Sequence, residues 1–227
     1  MKAPSIDAVR SPRDLAPFVD HAVLLPDATR EDVRRACEDA ARLHVAGVCV
    51  RGEWVAEAAR FLAGSGVMSV AVVDFPAGAG TTASRVVEAR GAIACGAVEI
   101  DVVIAVAPLK ARDYRYVLED LAEIVGRAHV PVKVILETAR LTHDEKVIAC
   151  ALSKAAGAAF VKTSTGFAEG GATVEDVALM RAVVGPELGV KASGGVRTAA
   201  DALRMLKAGA SRIGTSHSVA VVGAAGF

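Results

Sequence analysis

Short apolar segments alternate with amphipathic stretches along the whole chain. Runs of valine, isoleucine and alanine, most of them preceded by glycine, predict eight strands, near residues 18–24, 46–50, 67–73, 97–104, 131–136, 158–162, 188–191 and 211–214. Continuous apolar runs of this kind are typical of parallel strands that are covered on both faces. Eight strands alternating with helices predict an α/β fold, a single (β/α)8 TIM barrel, and an open doubly wound sheet is the structural alternative.

The stretches between the strands have the apolar period of helices. Thr29 and Asp32 have the spacing of a capping box in front of an apolar stripe, and Thr198 with Asp201 repeats this arrangement. No linker or low-complexity tract interrupts the alternation. We therefore expect one barrel domain over residues 1–227.

Composition and charge favour an enzyme that acts on a small molecule. The 227 residues are 53% hydrophobic and only 4% aromatic, so aliphatic side chains fill the core. The 26 basic and 26 acidic residues cancel, which argues against a nucleic-acid partner or a membrane surface. Residues 1–14 lack the apolar stretch of a signal peptide, and no segment reaches the roughly 18 apolar residues of a membrane span. We expect a cytoplasmic location.

The cysteines and histidines give no sign of a metal site. Cys37, Cys49, Cys95 and Cys150 are far apart in apolar stretches, so we expect free, buried thiols. The histidines form no H-x-x-H or H-E-x-x-H pair. No dinucleotide or P-loop motif opens a helix after a strand. We therefore expect neither a metal nor a cofactor.

Two neighbouring predicted strands end in lysine. Lys162 follows Ala-Ala-Phe-Val, and Lys191 follows Gly-Val. Barrel enzymes carry their chemistry at the C-terminal ends of the strands. A partly desolvated amine beside a second cation is favoured in its neutral, nucleophilic form. The alternatives are a Lys162 that reaches past the barrel rim to water and a Lys191 that only binds phosphate.

Acidic residues interrupt another predicted strand. Glu99 and Asp101 alternate with apolar residues, so both point into the barrel, where a carboxylate requires partners. Asp101 beside two lysines would move protons and balance charge, and a structural salt bridge is the alternative. Lys133 and Glu137 share a face of the next strand, and we expect them to support this polar network.

Two glycine-containing loops follow the last two predicted strands. Gly194 and Gly195 precede Arg197 at the start of a helix, and Gly214 precedes Ser216 after the last strand. Backbone N–H groups in such loops, together with a helix N-terminus, attract anions. Barrel enzymes often bind phosphate between these two loops.

Taken together, these segments resemble the deoxyribose-phosphate aldolase family from about Val19 to Val222. The resemblance is carried by Asp20-His21, Phe75-Pro76, Glu99-Ile100-Asp101, Phe160-Val161-Lys162-Thr163-Ser164-Thr165-Gly166-Phe167, Gly170-Gly171-Ala172-Thr173 and Val190-Lys191-Ala192-Ser193-Gly194-Gly195-Val196-Arg197-Thr198. Motifs of this length are specific.

The resemblance implies reversible cleavage of 2-deoxy-D-ribose 5-phosphate to acetaldehyde and D-glyceraldehyde 3-phosphate, without a metal. It implies that Lys162 forms the Schiff base, that Lys191 perturbs it and that Asp101 relays protons. It assigns Asp20, Leu24, Phe75 and Thr165 to the substrate pocket. It assigns the phosphate site to Gly166, Gly194, Gly195, Arg197, Gly214 and Ser216. A homodimer follows only by analogy with the family.

The chain departs from the family pattern mainly in its loops. His217 and Ser218 replace a Ser-Gly pair after the last strand, and Asp74 replaces a glycine before Phe75. Leu25 stands where a lysine is common. No catalytic group is lost, so these changes are expected to affect phosphate affinity, rate or substrate preference.

Two other functions compete with this interpretation. A Schiff-base aldolase for a longer sugar phosphate would keep Lys162 but would need more polar groups than Leu24 and Phe75 provide. A non-catalytic, phosphate-binding barrel would bind ligand without forming a covalent adduct, since fold alone does not establish activity.

Overall fold

The barrel predicted from the sequence is confirmed. The computed structural model describes residues 5–226, and within them eight parallel strands close in chain order, β8 pairing with β1. The strands are β1 Val19–Val23, β2 Gly47–Val50, β3 Met68–Val73, β4 Glu99–Val103, β5 Val132–Ile135, β6 Phe160–Lys162, β7 Gly189–Ser193 and β8 Arg212–Thr215. Closure excludes the open doubly wound sheet.

Helices cover the outside of the barrel. They are α1 Arg30–Leu43, α2 Val55–Phe61, α3 Thr82–Ala94, α4 Val106–Lys110, α5 Tyr114–Ala128, α6 His143–Ala155, α7 Val174–Val184, α8 Ala199–Lys207 and α9 Ser218–Val222. A 3-10 segment, Pro12–Phe18, leads into β1. None of the helices described for residues 5–226 has the length and apolar character needed to cross a membrane.

Capping boxes start several helices where the sequence predicts them. The Thr29 hydroxyl accepts the backbone N–H of Asp32 at the start of α1, while the Asp32 carboxylate accepts the backbone N–H of Thr29. Thr198 and Asp201 form the same pair at α8. These contacts satisfy N–H groups that the helix itself leaves without acceptors.

Alternation along the strands separates an apolar outer layer from a mixed interior. In β4, Ile100 and Val102 join the main core beneath the helices, whereas Asp101 points into the barrel. A second, smaller cluster of buried apolar residues consists of Leu24, Cys49, Val70 and Val72. The interior is therefore apolar on the side of β2 and β3 and carries charges on the side of β4 to β8 and β1.

The prediction for the cysteines needs one correction. Cys37, Cys49 and Cys150 are free and buried, but Cys95 is free and exposed. Cys95 is the C-cap residue of α3, directly after the last helical residue, Ala94. An apolar sequence context therefore gave the wrong burial at the end of this helix.

Two glycines provide a matched test of packing. A Cβ at Gly189 in β7 would lie 2.0 Å from the ring of Phe160, whereas a Cβ at Gly126 in α5 would meet nothing within 4 Å. We expect Gly189→Ala to lower the free energy of unfolding by about 1–3 kcal/mol through overpacking. Gly126→Ala should raise it by about 0.5–1 kcal/mol, because alanine loses less backbone entropy in a helix.

Urea unfolding of both variants and the unchanged chain measures these effects. Equal stability of Gly189→Ala and the unchanged chain would mean that the Phe160 ring can move aside. The ring has little room to do so, because the Lys133 ammonium and the Arg212 guanidinium lie 5.8 and 5.5 Å from its centroid.

Candidate active site

Parallel pairing brings the two strand-end lysines together, as the sequence predicts. Lys162 in β6 is directly opposite Lys191 in β7. Their Nζ atoms lie 2.9 and 2.8 Å from the same oxygen, Oδ2 of Asp101, which reaches them from β4 across the barrel. All three side chains are almost completely buried. The structure thus joins the three residues that the sequence nominates for chemistry.

Each of these groups has further charged partners. Lys191 also donates to Asp20 Oδ2 at 2.5 Å, and Lys133 donates to the second oxygen of Asp101 at 2.8 Å. Asp101 therefore accepts from three ammonium groups. Lys133 joins the polar network as expected.

A lower layer of charges, which the sequence analysis missed in part, supports these groups from below. Arg212 lies 2.8 Å from Asp20 Oδ1 and 3.5 Å from Glu99 Oε2, and Lys133 lies 2.7 Å from the same Glu99 oxygen. Arg212 is the first residue of β8. Its place in the alternation of inward and outward positions along the strand was the only sequence feature that could have predicted an interior side chain. We call the whole set the interior ion cluster; it consists of Asp20, Glu99, Asp101, Lys133, Lys162, Lys191 and Arg212.

The interior ion cluster has one more cation than carboxylates. Among the described residues, Lys133, Lys191 and Arg212 each have two carboxylate partners within 4 Å, whereas Lys162 has only Asp101. Three carboxylates balance three cations, and an unbalanced buried charge is costly. Lys162 is therefore the cation of the cluster with the fewest carboxylate partners among the described residues.

The surrounding charges hold the other members in their ionised forms. Burial alone would raise the pKa of Asp101, but Lys133, Lys162 and Lys191 outweigh it and hold that pKa well below its usual value. Burial likewise opposes the charged form of Lys191, yet Asp101 and Asp20 raise its pKa above the usual value. Asp101 and Lys191 are thus an ion pair over the physiological pH range.

A cavity of about 960 Å³ opens onto this cluster. Lys162 and Lys191, predicted to be catalytic, and Asp20, Leu24 and Thr165, predicted for the substrate pocket, all line it. In the described structure Asp101 lies beneath the lysines and does not reach the cavity surface.

Phe75 also lies outside the cavity lining. Its ring packs against the small apolar cluster that contains Leu24, and it meets the ring of Phe167 edge to face, with centroids 5.2 Å apart. Phe167 does line the cavity and is 43% exposed. Phe75 therefore supports the apolar wall from behind, and Phe167 is a wall residue that sequence analysis did not single out.

All six residues predicted for the phosphate site line the same cavity, namely Gly166, Gly194, Gly195, Arg197, Gly214 and Ser216. Gly194 and Gly195 have φ values of 88° and 79°, which only glycine adopts without strain. Gly194 also contacts the backbone of Gly171 so closely that a Cβ on Gly171 would lie 2.6 Å from its oxygen. The loop with Gly194 and Gly195 precedes α8, and backbone N–H groups near a helix N-terminus favour an anion.

The polar residues around these loops have defined partners. Thr165 donates from its hydroxyl to Glu137 Oε2 at 2.5 Å, so Glu137 fixes the loop after β6 instead of joining the interior ion cluster. His217 bonds Ser216 through Nδ1 at 3.1 Å, and Ser218 bonds His21. Burial lowers the pKa of His21. Among residues 5–226, no group of three or more His, Cys, Asp or Glu side chains is arranged to hold a metal ion.

Removal of one carboxylate tests the electrostatics of the cluster. Burial favours the neutral form of Asp20, but Lys191 and Arg212 outweigh it and hold its pKa below the usual value. The resulting stabilisation is complete above the unfolded-state pKa of about 3.9 and disappears as the pH falls below it. We expect Asp20→Asn to cost about 3–5 kcal/mol at neutral pH, because two buried cations lose a partner.

Urea unfolding from neutral pH down to about pH 3 measures this cost, which should shrink toward the acid end. Asp144→Asn, at an exposed position in the first turn of α6, is the matched control and should change little at any pH. A cost for Asp20→Asn that is constant with pH would contradict an ionic origin.

The comparisons with known proteins agree with this geometry. A family profile described as DeoC/LacD family aldolase matches residues 15–226. The chain is 53% identical to a deoxyribose-phosphate aldolase of Bacillus cytotoxicus over 211 residues, covering 92% of this chain and 95% of the relative. It is 52% identical to the enzyme of that name from Brevibacillus brevis over 206 residues, covering 90% and 93%.

A solved structure matches equally well over its length. The tetrameric deoxyribose phosphate aldolase from Aeropyrum pernix superposes with a TM-score of 0.89 at 33% identity, covering 96% of this chain and 93% of that one. The family profile, the sequence relatives and the shared barrel all extend over nearly the whole chain. The chain therefore belongs to the DeoC/LacD family of aldolases.

Proposed function

We propose that this aldolase reversibly cleaves 2-deoxy-D-ribose 5-phosphate to acetaldehyde and D-glyceraldehyde 3-phosphate through a Schiff base on Lys162. The observation that carries the proposal is the charge count of the interior ion cluster. Lys162 has a single carboxylate partner, beside Lys191 with two, and both lysines reach the cavity. A neutral amine in a largely desolvated position is a nucleophile for aldehydes.

The first step joins substrate and enzyme. The neutral Nζ of Lys162 attacks C1 of the open-chain sugar, and the carbinolamine loses water to give an iminium ion. Two protons move in this step. The amine loses one, and the departing hydroxyl needs one. Lys191 and water in the cavity carry them. The charged Lys191, held 2.8 Å from Asp101, supplies a proton without leaving its carboxylate partner.

The second step breaks the bond between C2 and C3. The Lys191 amine, which gave its proton to the departing hydroxyl, removes the proton of the C3 hydroxyl. The C2–C3 electron pair moves into the iminium ion, and D-glyceraldehyde 3-phosphate leaves. The remaining enamine is protonated at C2, and water hydrolyses the resulting iminium ion to acetaldehyde and free Lys162. Asp101 stays ionised, so it orients the two lysines and compensates the charge that moves between them.

The remote phosphate would hold the substrate in register with Lys162. Gly166, Gly194, Gly195 and Gly214 line the cavity, as do Arg197 and Ser216. Binding energy from a non-reacting group of this kind positions the reacting carbon and is a recognised source of rate enhancement.

The apolar wall favours a small aldehyde donor over the donors of other aldolases. Leu24 and Phe167 line the same cavity as Lys162, and a longer sugar phosphate would need polar partners there for its extra hydroxyl groups. A non-catalytic phosphate-binding barrel would gain nothing from the surplus cation of the interior ion cluster, because an uncompensated buried charge lowers stability.

The expected partners are small molecules, sugar phosphates and aldehydes, with no cofactor. Equal numbers of acidic and basic residues argue against nucleic acid and membranes as partners. The Aeropyrum pernix relative is tetrameric, and family analogy favours a dimer; we propose a homo-oligomer in the cytoplasm.

Trapping with borohydride tests the nucleophile directly. The protein is incubated with 2-deoxyribose 5-phosphate, reduced with borohydride, and digested for mass spectrometry. We expect a two-carbon adduct on Lys162, because the enamine of acetaldehyde is the intermediate that remains after cleavage. Lys162→Met should give no adduct and no turnover.

Lys191→Met is the matched control, since it removes the lysine that lies directly opposite Lys162. It should slow turnover by about 10²–10⁴-fold, as loss of a general acid–base group does. The adduct on Lys162 should form more slowly, because removing Lys191 takes away the surplus cation and three carboxylates then balance the three remaining cations. An adduct on Lys191 in the unchanged chain would mean that Lys191 is the nucleophile and that Lys162 is the neighbouring lysine that assists it. Binding without any adduct would favour the non-catalytic function.

A chelator tests the metal-free mechanism. The iminium ion on Lys162 accepts the electron pair of the breaking bond, so the cleavage step needs no Lewis acid. We expect full activity after treatment with EDTA. Loss of activity that added zinc restores would contradict the mechanism.

A further inference from the structure

A fully buried arginine lies outside the cavity and outside the interior ion cluster. Arg85 in α3 has no exposed surface. Its guanidinium bonds the carboxylate of Asp120 in α5, donates to the backbone oxygen of Val103 at the end of β4, and lies 3.2 Å from Asp74 Oδ2. One planar group thus connects a helix, a strand end and the loop after β3, a geometry that lysine cannot reproduce.

The loop that Arg85 holds begins in a strained conformation. Asp74 has φ 51°, in the left-handed region where glycine has no steric cost. Its carboxylate accepts a hydrogen bond from the backbone N–H of Gly80 at 2.9 Å and forms an ion pair with the Arg85 guanidinium. The side chain therefore gives Asp74 two contacts that a glycine would lack.

The same loop packs tightly on the strand that carries Asp101. A Cβ on Gly78 would lie 2.6 Å from the backbone oxygen of Ile104 and 2.8 Å from a methyl group of Val103. Gly78 also donates its backbone N–H to the Asp74 oxygen at 2.9 Å. The loop after β3 is thus held by two contacts, the ion pair of Asp74 with Arg85 and the packing of Gly78 against the end of β4.

Phe75 follows Asp74 directly and transmits this position to the cavity wall. Its ring packs on the apolar cluster that contains Leu24 and meets Phe167 edge to face. Leu24 and Phe167 line the cavity that Lys162 also lines, whereas Phe75 and Arg85 do not. A shift of the loop after β3 therefore moves the support of two wall residues without changing any group of the interior ion cluster.

We infer that Arg85, through its contact with Asp74, is a positioning residue that sets the size of the aldehyde donor accepted beside Lys162. This inference rests on the proposed function. The contact between Arg85 and Asp74 keeps the Phe75 ring against Phe167, and the wall then leaves room for a two-carbon enamine. When the contact is lost, the wall recedes and a three-carbon donor fits.

Two variants loosen the loop in different ways. Asp74→Gly removes the carboxylate while keeping a residue that adopts the left-handed conformation, so the barrel should fold. Arg85→Lys keeps the buried positive charge but loses the planar guanidinium that contacts Asp120, Val103 and Asp74 at once. Arg112→Gly is the matched control, because Arg112 is an exposed residue with φ 62° in the turn before α5, far along the chain from the loop after β3.

The measurement is aldol addition to D-glyceraldehyde 3-phosphate with either acetaldehyde or propanal as donor. The ratio of kcat/KM for propanal to that for acetaldehyde should rise about tenfold in Asp74→Gly and Arg85→Lys, since one methylene in an apolar pocket is discriminated by at least that factor. The KM for the phosphorylated acceptor should change by less than about twofold, because the phosphate loops keep all their contacts. Arg112→Gly should leave both quantities unchanged.

The outcomes separate the inference from the proposed function. An unchanged donor ratio in both variants, even with a lowered urea midpoint, would make Arg85 a purely structural residue and overturn the inference. A change in acceptor KM as large as the change in donor ratio would also overturn it. Absence of a borohydride adduct on Lys162 in the unchanged chain would refute the proposed function itself.

Discussion

The Asp101 carboxylate, buried beneath three lysines, is the interaction on which the rest of the site depends. Three ammonium groups bond its two oxygens, and those lysines come from the next three strands of the barrel, β5, β6 and β7. Without Asp101 the barrel would enclose adjacent cations with too little compensating charge, which is costly in a desolvated interior. With it, the cluster still holds one cation in excess. That excess connects the packing of the barrel to its chemistry.

The division of the interior follows from this constraint. An apolar barrel interior would be the more stable arrangement, because replacing buried ion pairs by packed hydrophobic residues is often neutral or stabilising. This chain fills only the β2 and β3 side with Leu24, Cys49, Val70 and Val72. On the other side, Glu99 pairs with Lys133 and Arg212, and Arg212 also pairs with Asp20. Lys162 and Lys191 are the lysines of the cluster that line the cavity. Local rules of stability are broken where the function requires it.

Strand parity explains how much of the site the sequence predicted. Alternation in β4 was enough to place Glu99 and Asp101 inward, and adjacency of β6 and β7 was enough to place Lys162 beside Lys191. Arg212 was missed because a cation at the start of a strand is as compatible with solvent as with a partner across the barrel. Glu137 was assigned to the network by parity, but its partner, Thr165, is set by the conformation of the loop after β6. Contacts made across the barrel or within loops are not encoded in local periodicity.

Loops and strands therefore have separate roles in this aldolase. Three departures from the family pattern, Asp74, His217 and Ser218, lie in loops or at a helix start, and each has a side-chain partner there. The interior ion cluster lies on strands, whose pairing register fixes every distance between its members. A loop substitution can move an apolar wall or a phosphate contact by a fraction of an ångström while the reacting lysine stays in place. Substrate preference can consequently change within this barrel without altering the chemistry, which is the physical reason that barrel enzymes diversify through their loops.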